Sequence, residues 1–264
     1  MPASISQALW DARIPLHITH PAAPNTPFIT SIPRFSYLAL LLPRLSAFFD
    51  TPCSSFHFEH VLLRNLAAGL LVDLYRPALP WRLVVNDGVS WDISDTFLNA
   101  AKEADFIRNG NANQIMKMSK SDTTQLWHAV IDNDYAAFSR INNRLLNTPT
   151  ALKHVPIRIY LPLAPASGGD PTAAEAPHGG DASSAGTFKI IQSLVQPLGA
   201  DRRPRLLGQA LKETMPKLFP SSRDPVMANL LLHGVAVPFN APLPELMKEA
   251  AYPDGWLSFV VVVL

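Results

Sequence analysis

The stretch Ser94-Asp-Thr-Phe-Leu-Asn-Ala-Ala-Lys-Glu-Ala-Asp-Phe-Ile-Arg108 reads as one amphipathic helix and sets the plan of the chain. Ser94 is placed to cap it, Asp95 lies in the first turn where the helix dipole favours a carboxylate, and Arg108 sits near the C-terminus. Asn109-Gly110 then ends it. At about 100° per residue, Phe97, Ala100, Ala101, Ala104 and Ile107 share one side. Lys102 falls about 140° from Phe97 on that wheel, flanked by Leu98, Asp105 and Phe106. The lysine is therefore expected to face solvent beside two apolar side chains that the helix itself need not bury. Most charged helix faces only solvate, so the wheel alone assigns no function.

Around this helix, residues 91–147 are proline-free and helical in pattern. Asp122-Thr-Thr-Gln125 has capping-box form ahead of Leu126, Val130 and Ile131, and Asp132-Asn-Asp134 restarts a helix through Phe138, Ile141 and Leu145. The expectation is a bundle of about three helices, ended at Thr148-Pro149.

The flanks have another texture. Prolines number 25, and many border short apolar runs, as at Ile14-Pro15, Leu79-Pro80, Val155-Pro156 and Val237-Pro238, so they punctuate short elements. Ser4 to Trp10 fits a short helix. Arg13 to Thr19 alternates Ile14, Leu16 and Ile18 against Arg13, Pro15 and His17, the period of a strand. A Pro/Asn/Thr loop then leads to a second strand expected at Phe35–Leu40, a helix at Leu42–Asp50, two short strands within Ser55–Leu63, a helical turn at Gly69–Tyr75 and a strand at Trp81–Asn86. That order, β-β-α-β-β-α-β, is the order of a ubiquitin-like β-grasp. After the bundle, Val155 to Leu161 alternates again. Strands are expected at Phe188–Val195, at Met227–Val237 with a break at His233-Gly234, and at Trp256–Leu264. A helix is expected at Leu206–Phe219 (kinked or ended near Pro216) and a helical turn at Leu243–Ala251. Residues 164–187 hold Ala, Gly, Ser and Pro with three acids and no large apolar side chain, the composition of a disordered insert. The predicted class is α+β, two ubiquitin-like β-grasp domains flanking a helix-rich domain. Its divisions are 1–11 (N-terminal helix), 12–90, 91–148 and 149–264.

Composition limits the function. Hydrophobic residues make up 48% and charged residues 16% of the 264, enough apolar material for packed cores. A net charge of +1 provides no global field to recruit nucleic acid. One cysteine, Cys53, excludes an internal disulfide framework and a multi-cysteine zinc site and fits a reducing compartment. The N-terminus has no apolar signal run, so a cytoplasmic protein is expected. No nucleophile elbow, phosphate-binding glycine loop or His-Glu-x-x-His is present. His17/His20 and His57/His60 are spaced three apart in or beside strand candidates, where they face opposite sides, so no metal site is expected. No cofactor, no catalytic residue and no enzyme emerge. The valine-rich run to Leu264 lacks the terminal glycine of a donated ubiquitin-like modifier, and the Gly-Gly pairs at 168–169 and 179–180 are internal, so the chain is expected to be a recipient instead.

Several stretches, in order, resemble the autophagy protein 5 family. They are Leu9-Trp-Asp-Ala-Arg-Ile-Pro15, Pro33-Arg-Phe-Ser-Tyr-Leu38, Gly69-Leu-Leu-Val-Asp-Leu74, Leu79-Pro-Trp81 and Lys102-Glu-Ala-Asp105 in the first part. Gln125-Leu-Trp127, Val155-Pro-Ile-Arg-Ile-Tyr160, His233-Gly-Val235 and Tyr252-Pro-Asp-Gly-Trp256 follow. The resemblance implies the same fold and a non-enzymatic scaffold. It implies that Lys102 accepts the C-terminal glycine of autophagy protein 12 in an isopeptide bond, by aminolysis of an enzyme thioester. Lysine amines are almost wholly protonated near pH 7, so the conjugating enzyme supplies the base. Leu98 and Phe106 are candidates for docking that enzyme or the attached modifier. The family also binds the N-terminal helix of autophagy protein 16, and Leu9, Trp10, Arg13 and Gly69 match positions near that groove. Arg64-Asn-Leu-Ala-Ala68 lacks the aromatic and proline content expected of relatives there. The implied conjugate acts like a ligase, promoting transfer of autophagy protein 8 to phosphatidylethanolamine with the conjugating enzymes autophagy proteins 10 and 3. It would work from the cytoplasm, peripherally, at the preautophagosomal structure or isolation membrane. The alternatives are a tandem ubiquitin-like binding module that is never conjugated, and a small hydrolase, which would need a deep pocket of convergent polar groups.

Overall fold

The computed structural model describes residues 4–87, 93–147, 151–163, 188–199 and 201–264. The insert expected at 164–187 and the break expected at Thr148-Pro149 lie outside them. The first half opens with α1 (Ile5–Asp11), capped by Ser4, whose side chain accepts from the Gln7 N–H. It is followed by β1 (Arg13–His20), β2 (Ala23–Pro33), a 3₁₀ turn (Leu38–Leu41), α2 (Leu42–Phe49), β3 (Ser55–Phe58), β4 (Val61–Leu62), α3 (Ala68–Tyr75) and β5 (Trp81–Asn86). The strands form one sheet ordered β2-β1-β5-β3-β4, with β1 and β5 parallel at its centre. Alternation in β1 seats Ile14, Leu16 and Ile18 in the core with Trp81, Leu83 and Val85 of β5, as one buried face of a pleated strand requires.

Two expectations fail here. The second strand is Ala23–Pro33, where a loop was expected, and Phe35–Leu40 is a turn leading into the 3₁₀ segment. Prolines argue against a central strand, but β2 is the sheet edge and has unpaired backbone on one side, so Pro24, Pro27 and Pro33 fit. The apolar residues of 35–41 serve a different purpose: Leu38 and Leu41 are buried in the core of the first sheet, and Phe35 and Tyr37 in the core shared with the bundle and the second sheet.

The helical block holds α4 (Ile93–Asn109), α5 (Asn113–Met116), α6 (Lys120–Ile131) and α7 (Tyr135–Leu146). Ser94 is inside α4 and so is no cap. The α6 cap is Ser119, accepting from the Asp122 N–H at 3.0 Å, so the helix begins before the expected Asp122 box. α7 starts where the Asp132-Asn-Asp134 stretch was expected to restart a helix, with Asp134 as its cap.

The second half runs β6 (Val155–Pro162), β7 (Phe188–Val195), α8 (Leu207–Thr214), β8 (Ala228–Leu232), β9 (Val235–Ala236), α9 (Leu243–Ala250) and β10 (Leu257–Val263). The expected break at His233-Gly234 is the β8–β9 turn, with φ +54° and +81°. The sheet order β7-β6-β10-β8-β9, with β6 and β10 parallel, repeats the first sheet. Both halves are therefore β-grasp sheets, and the helical block lies between them in sequence. Their cores are unequal. One serves the first sheet alone. The other is continuous through the bundle and the second sheet and takes in Trp10, Phe35 and Tyr37 of the first half.

α4 is the member that joins them. Phe97, Ala101 and Ala104 are buried, while its other side rests on the second sheet. The Trp256 indole N–H donates to the Ala100 carbonyl at 2.9 Å, and Arg158 stacks on that indole at 3.9 Å and pairs with Glu103. Trp256→Phe, which keeps a ring but loses the donor, is expected to lower unfolding free energy by about 1 kcal/mol. Trp256→Ala is expected to lower it by about 3–5 kcal/mol in urea unfolding.

Candidate functional site

Lys102 lies midway along α4. Its ammonium reaches Asn99 Oδ1 at 3.5 Å, and among the described residues it forms no ion pair. The solvent stripe expected around it is narrower than the wheel implied. Lys102 is half-buried, Asp105 is fully buried and Leu98 packs against the core. Phe106 alone of the three flanking side chains stands out, 55% exposed. The reason is that α4 has neighbours on several sides. The Asp105 carboxylate accepts from Asn109 Nδ2 (2.7 Å) and from the Gln114 and Ile115 backbone N–H groups (3.0 and 3.1 Å), which pins α5 to α4.

A second feature is a groove where α1, α7 and α9 converge. Leu9, Trp10, Phe35, Tyr135, Phe138 and Tyr252 line a cavity of about 290 Å³ there. The Trp10 ring sits 4.7 Å from Phe138 and 5.6 Å from Phe35. Ser6 Oγ donates to the Glu249 carbonyl at 3.0 Å and so holds α1 to α9. Of the four groove positions read from sequence, Leu9 and Trp10 line this cavity. Arg13 is occupied elsewhere, donating to Ser31 O (2.7 Å) and Ser31 Oγ (3.0 Å) on β2.

Gly69 is buried under Arg34, at the seam between the two sheets. Arg34 pairs with Asp73, donates to Gly69 O (3.1 Å) and sets its Nε against His233 Nδ1 (3.5 Å). His233 Nε2 lies 2.8 Å from Ala250 O, so Nε2 carries the hydrogen and Nδ1 accepts. Phe35 and Tyr252 close over the imidazole at 5.3 and 4.6 Å. Burial lowers the His233 pKa to about 4, with Arg34 adding to the shift. Burial raises the Asp73 carboxyl more than the pull of Arg34 lowers it. Arg34, Asp73 and His233 lie in three of the stretches that resemble the family, but neither the resemblance nor the residue pattern assigns them a site role; the local signal is a lone acid, Asp73, in the apolar run Leu70-Leu-Val-Asp-Leu74.

Family models match all three parts. "Autophagy protein ATG5, UblA domain" covers residues 9–87, "alpha-helical bundle region" 92–148 and "UblB domain" 154–261. Autophagy-related protein 5 of Beauveria bassiana is 85% identical over an alignment of 269 residues that spans both chains completely. The chain belongs to the autophagy protein 5 family. The family member from Gibberella zeae is 70% identical over 264 residues, again across all of both chains. The Kluyveromyces marxianus Atg5 crystal structure shares the fold with a TM-score of 0.72, at 19% identity, covering 98% of this chain and 99% of that one. This is therefore an autophagy protein with two ubiquitin-like domains around a helical bundle. No helix among the described residues is long and apolar enough to cross a membrane, and no group of three or more metal-ligating side chains is found among them.

Two measurements test the seam. An unfolded histidine gains its proton as pH falls through about 6.5, the folded His233 only near 4. The folded state binds fewer protons across that window, so this contribution is complete above pH 6.5, declines toward pH 4 and is constant below. Its loss amounts to up to about 3 kcal/mol. Asp73 and Asp254, both raised by burial, act oppositely: their contribution is lost as pH rises from the ordinary carboxylate value. The difference between wild type and His233→Gln isolates the histidine, and its pH slope is expected between 6.5 and 4. A Cβ on Gly69 would stand 2.3 Å from Arg34 Cγ and 3.0 Å from Arg34 O, so Gly69→Ala is expected to expel the guanidinium from Asp73. Stranding that buried acid should cost about 3 kcal/mol in denaturant unfolding.

Proposed function

We propose that this chain is the acceptor of autophagy protein 12, joined through an isopeptide bond to Lys102. The observation that carries the reading is Lys102 itself, a primary amine held among the described residues only by Asn99, on a helix immobilised by the second sheet. A conjugating enzyme, autophagy protein 10, meets a fixed platform there, with the exposed Phe106 one turn away for docking and Leu98 supporting from the core side. Attack of the neutral amine on the enzyme thioester forms the amide and releases the enzyme thiol. The proton is removed by the enzyme, so this chain needs no base of its own.

The groove lined by Leu9 and Trp10 receives the N-terminal helix of autophagy protein 16. Gly69 and Arg13 act on it from a distance, Gly69 by keeping the Arg34 seam closed and Arg13 by bracing β1 against β2. The assembled conjugate works with autophagy protein 3 as a ligase-like scaffold in transfer of autophagy protein 8 to phosphatidylethanolamine. It does so from the cytoplasm, at the preautophagosomal structure.

Reconstitution with the modifier, its activating and conjugating enzymes and ATP tests the assignment on a denaturing gel. A covalent upshift is expected for wild type and its loss for Lys102→Arg, which keeps the charge but has no primary amine. An upshift that persists moves the acceptor to another lysine. No upshift in either chain favours the unconjugated tandem binding module.

A further inference from the structure

Arg108 closes α4 and is 4% exposed. Among the described residues its guanidinium donates no hydrogen bond, and its Nε is fully enclosed without a partner. A guanidinium has five N–H donors and is permanently charged, and leaving such donors unmet in a closed site is costly. The two acids closest in charge are committed elsewhere. Asp105 holds Asn109 and the start of α5, and Asp254 accepts from the Trp256 N–H (3.2 Å) and faces Arg158 (3.9 Å). They balance the charge of Arg108 through space without meeting its donors.

Arg108 stands between two cavities, the one already described and a second of about 320 Å³. Leu146, Met247 and Lys248 also border both, so the two form one groove between α7 and α9. The second cavity is walled by Leu145, Leu152, Pro197 and Leu198, and among the described residues its only ionisable side chains are Arg108 and Lys248. The one described acid of the joined groove, Glu249, lines the first cavity and accepts from Ser6 Oγ at 3.1 Å. An apolar slot with two cations selects an anion carried on an apolar body. Tyr135, Phe138, Asn142 and Leu146, on successive turns of α7, line the first cavity. The twelve residues of α7 span about 18 Å, long enough for a helix to lie alongside.

We infer that Arg108 is the recognition cation of this groove, taking a carboxylate from an amphipathic partner helix laid along α7, with apolar side chains one turn away on either side filling the two cavities. This rests on the helical-partner reading above and names the part of that helix which is read. The bidentate fork of Arg108 meets the carboxylate, and Lys248 at the rim contributes a point charge.

The test is isothermal titration of the full chain with a synthetic peptide of the autophagy protein 16 N-terminal helix, in low and high salt. Each Asp and Glu of the peptide is replaced in turn by Asn or Gln. One replacement is expected to weaken binding to wild type about tenfold or more, yet to change binding to Arg108→Gln less than about twofold, because the pair is already broken. Lys248→Gln, at an exposed position, is expected to weaken binding about threefold and to flatten its salt dependence. Should Arg108→Gln melt without cooperativity, Arg108→Lys takes its place and is expected to reduce the same coupling, since it keeps the charge but loses the fork. If no acid-to-amide peptide distinguishes wild type from the Arg108 variants and Lys248→Gln is silent, Arg108 is not the receptor. If wild type fails to bind the unmodified peptide, the helical-partner reading falls and takes this inference with it.

Discussion

The Arg34 guanidinium is the constraint on which the arrangement of the two sheets depends. It bonds the carbonyl of Gly69 and the carboxylate of Asp73 in the first half and abuts His233 of the second. Its planar fork meets these acceptors at once, which a lysine ammonium on a flexible stem would not do. The Asp73 side chain is 2% exposed, so the acid has no water to fall back on. A buried ion pair of this kind adds little net stability over an apolar substitute, but it accepts only one relative placement of its partners. The second β-grasp sheet is registered on the first in this way.

With that register set, α4 has room for one position. Its apolar side faces α6 and the first-half aromatics, and its other side rests on Trp256 and Arg158. A helix enclosed like this buries charged groups as well as apolar ones, and each must be matched. Asp105 is matched by backbone amides, the exposed Glu103 pairs with Arg158, and Lys102 has, among the described residues, a single weak contact, to Asn99. The groove beside α7 lies at the C-terminal end of the same helix, where, among the described residues, the Nε of Arg108 has no hydrogen-bond partner.

Much of this architecture was legible in local sequence. The alternation of β1, the helical texture of 91–147 and the His233-Gly234 turn report backbone geometry directly, and Val155–Leu161 is a strand as its alternation implied, although Pro156 and Tyr160 on its other face are buried as well. β2 was not legible, because prolines forbid an inner strand but permit an edge, and which strand is at the edge is decided by the whole sheet. The helical wheel failed at Asp105 for a similar reason: it assumes a helix with one neighbour, and α4 has several. The site groups divide differently. Lys102, Trp10, Arg34, Asp73 and His233 all lie in stretches that resemble the family, but the resemblance does not say that Arg34 meets Asp73 39 residues away and His233 199 residues away. Nothing in a lone arginine, acid or histidine announces such partners.

The strand order has a consequence for how the molecule is made. In each half the last strand of the unit lies at the centre of its sheet, parallel to the first. As the chain leaves the ribosome, the first sheet has its central strand by Asn86 and can close early. β6 and β7 emerge as a two-stranded ribbon with an apolar face and no centre to lie against, and such a ribbon is marginal alone. It must wait for β10, and α4 waits with it, since the indole that seats that helix immediately precedes β10. The bundle is thus translated in the middle but acquires its second-sheet support last: α4 has α6 and the first-half aromatics to pack on early, while its other side stays open until β10 arrives.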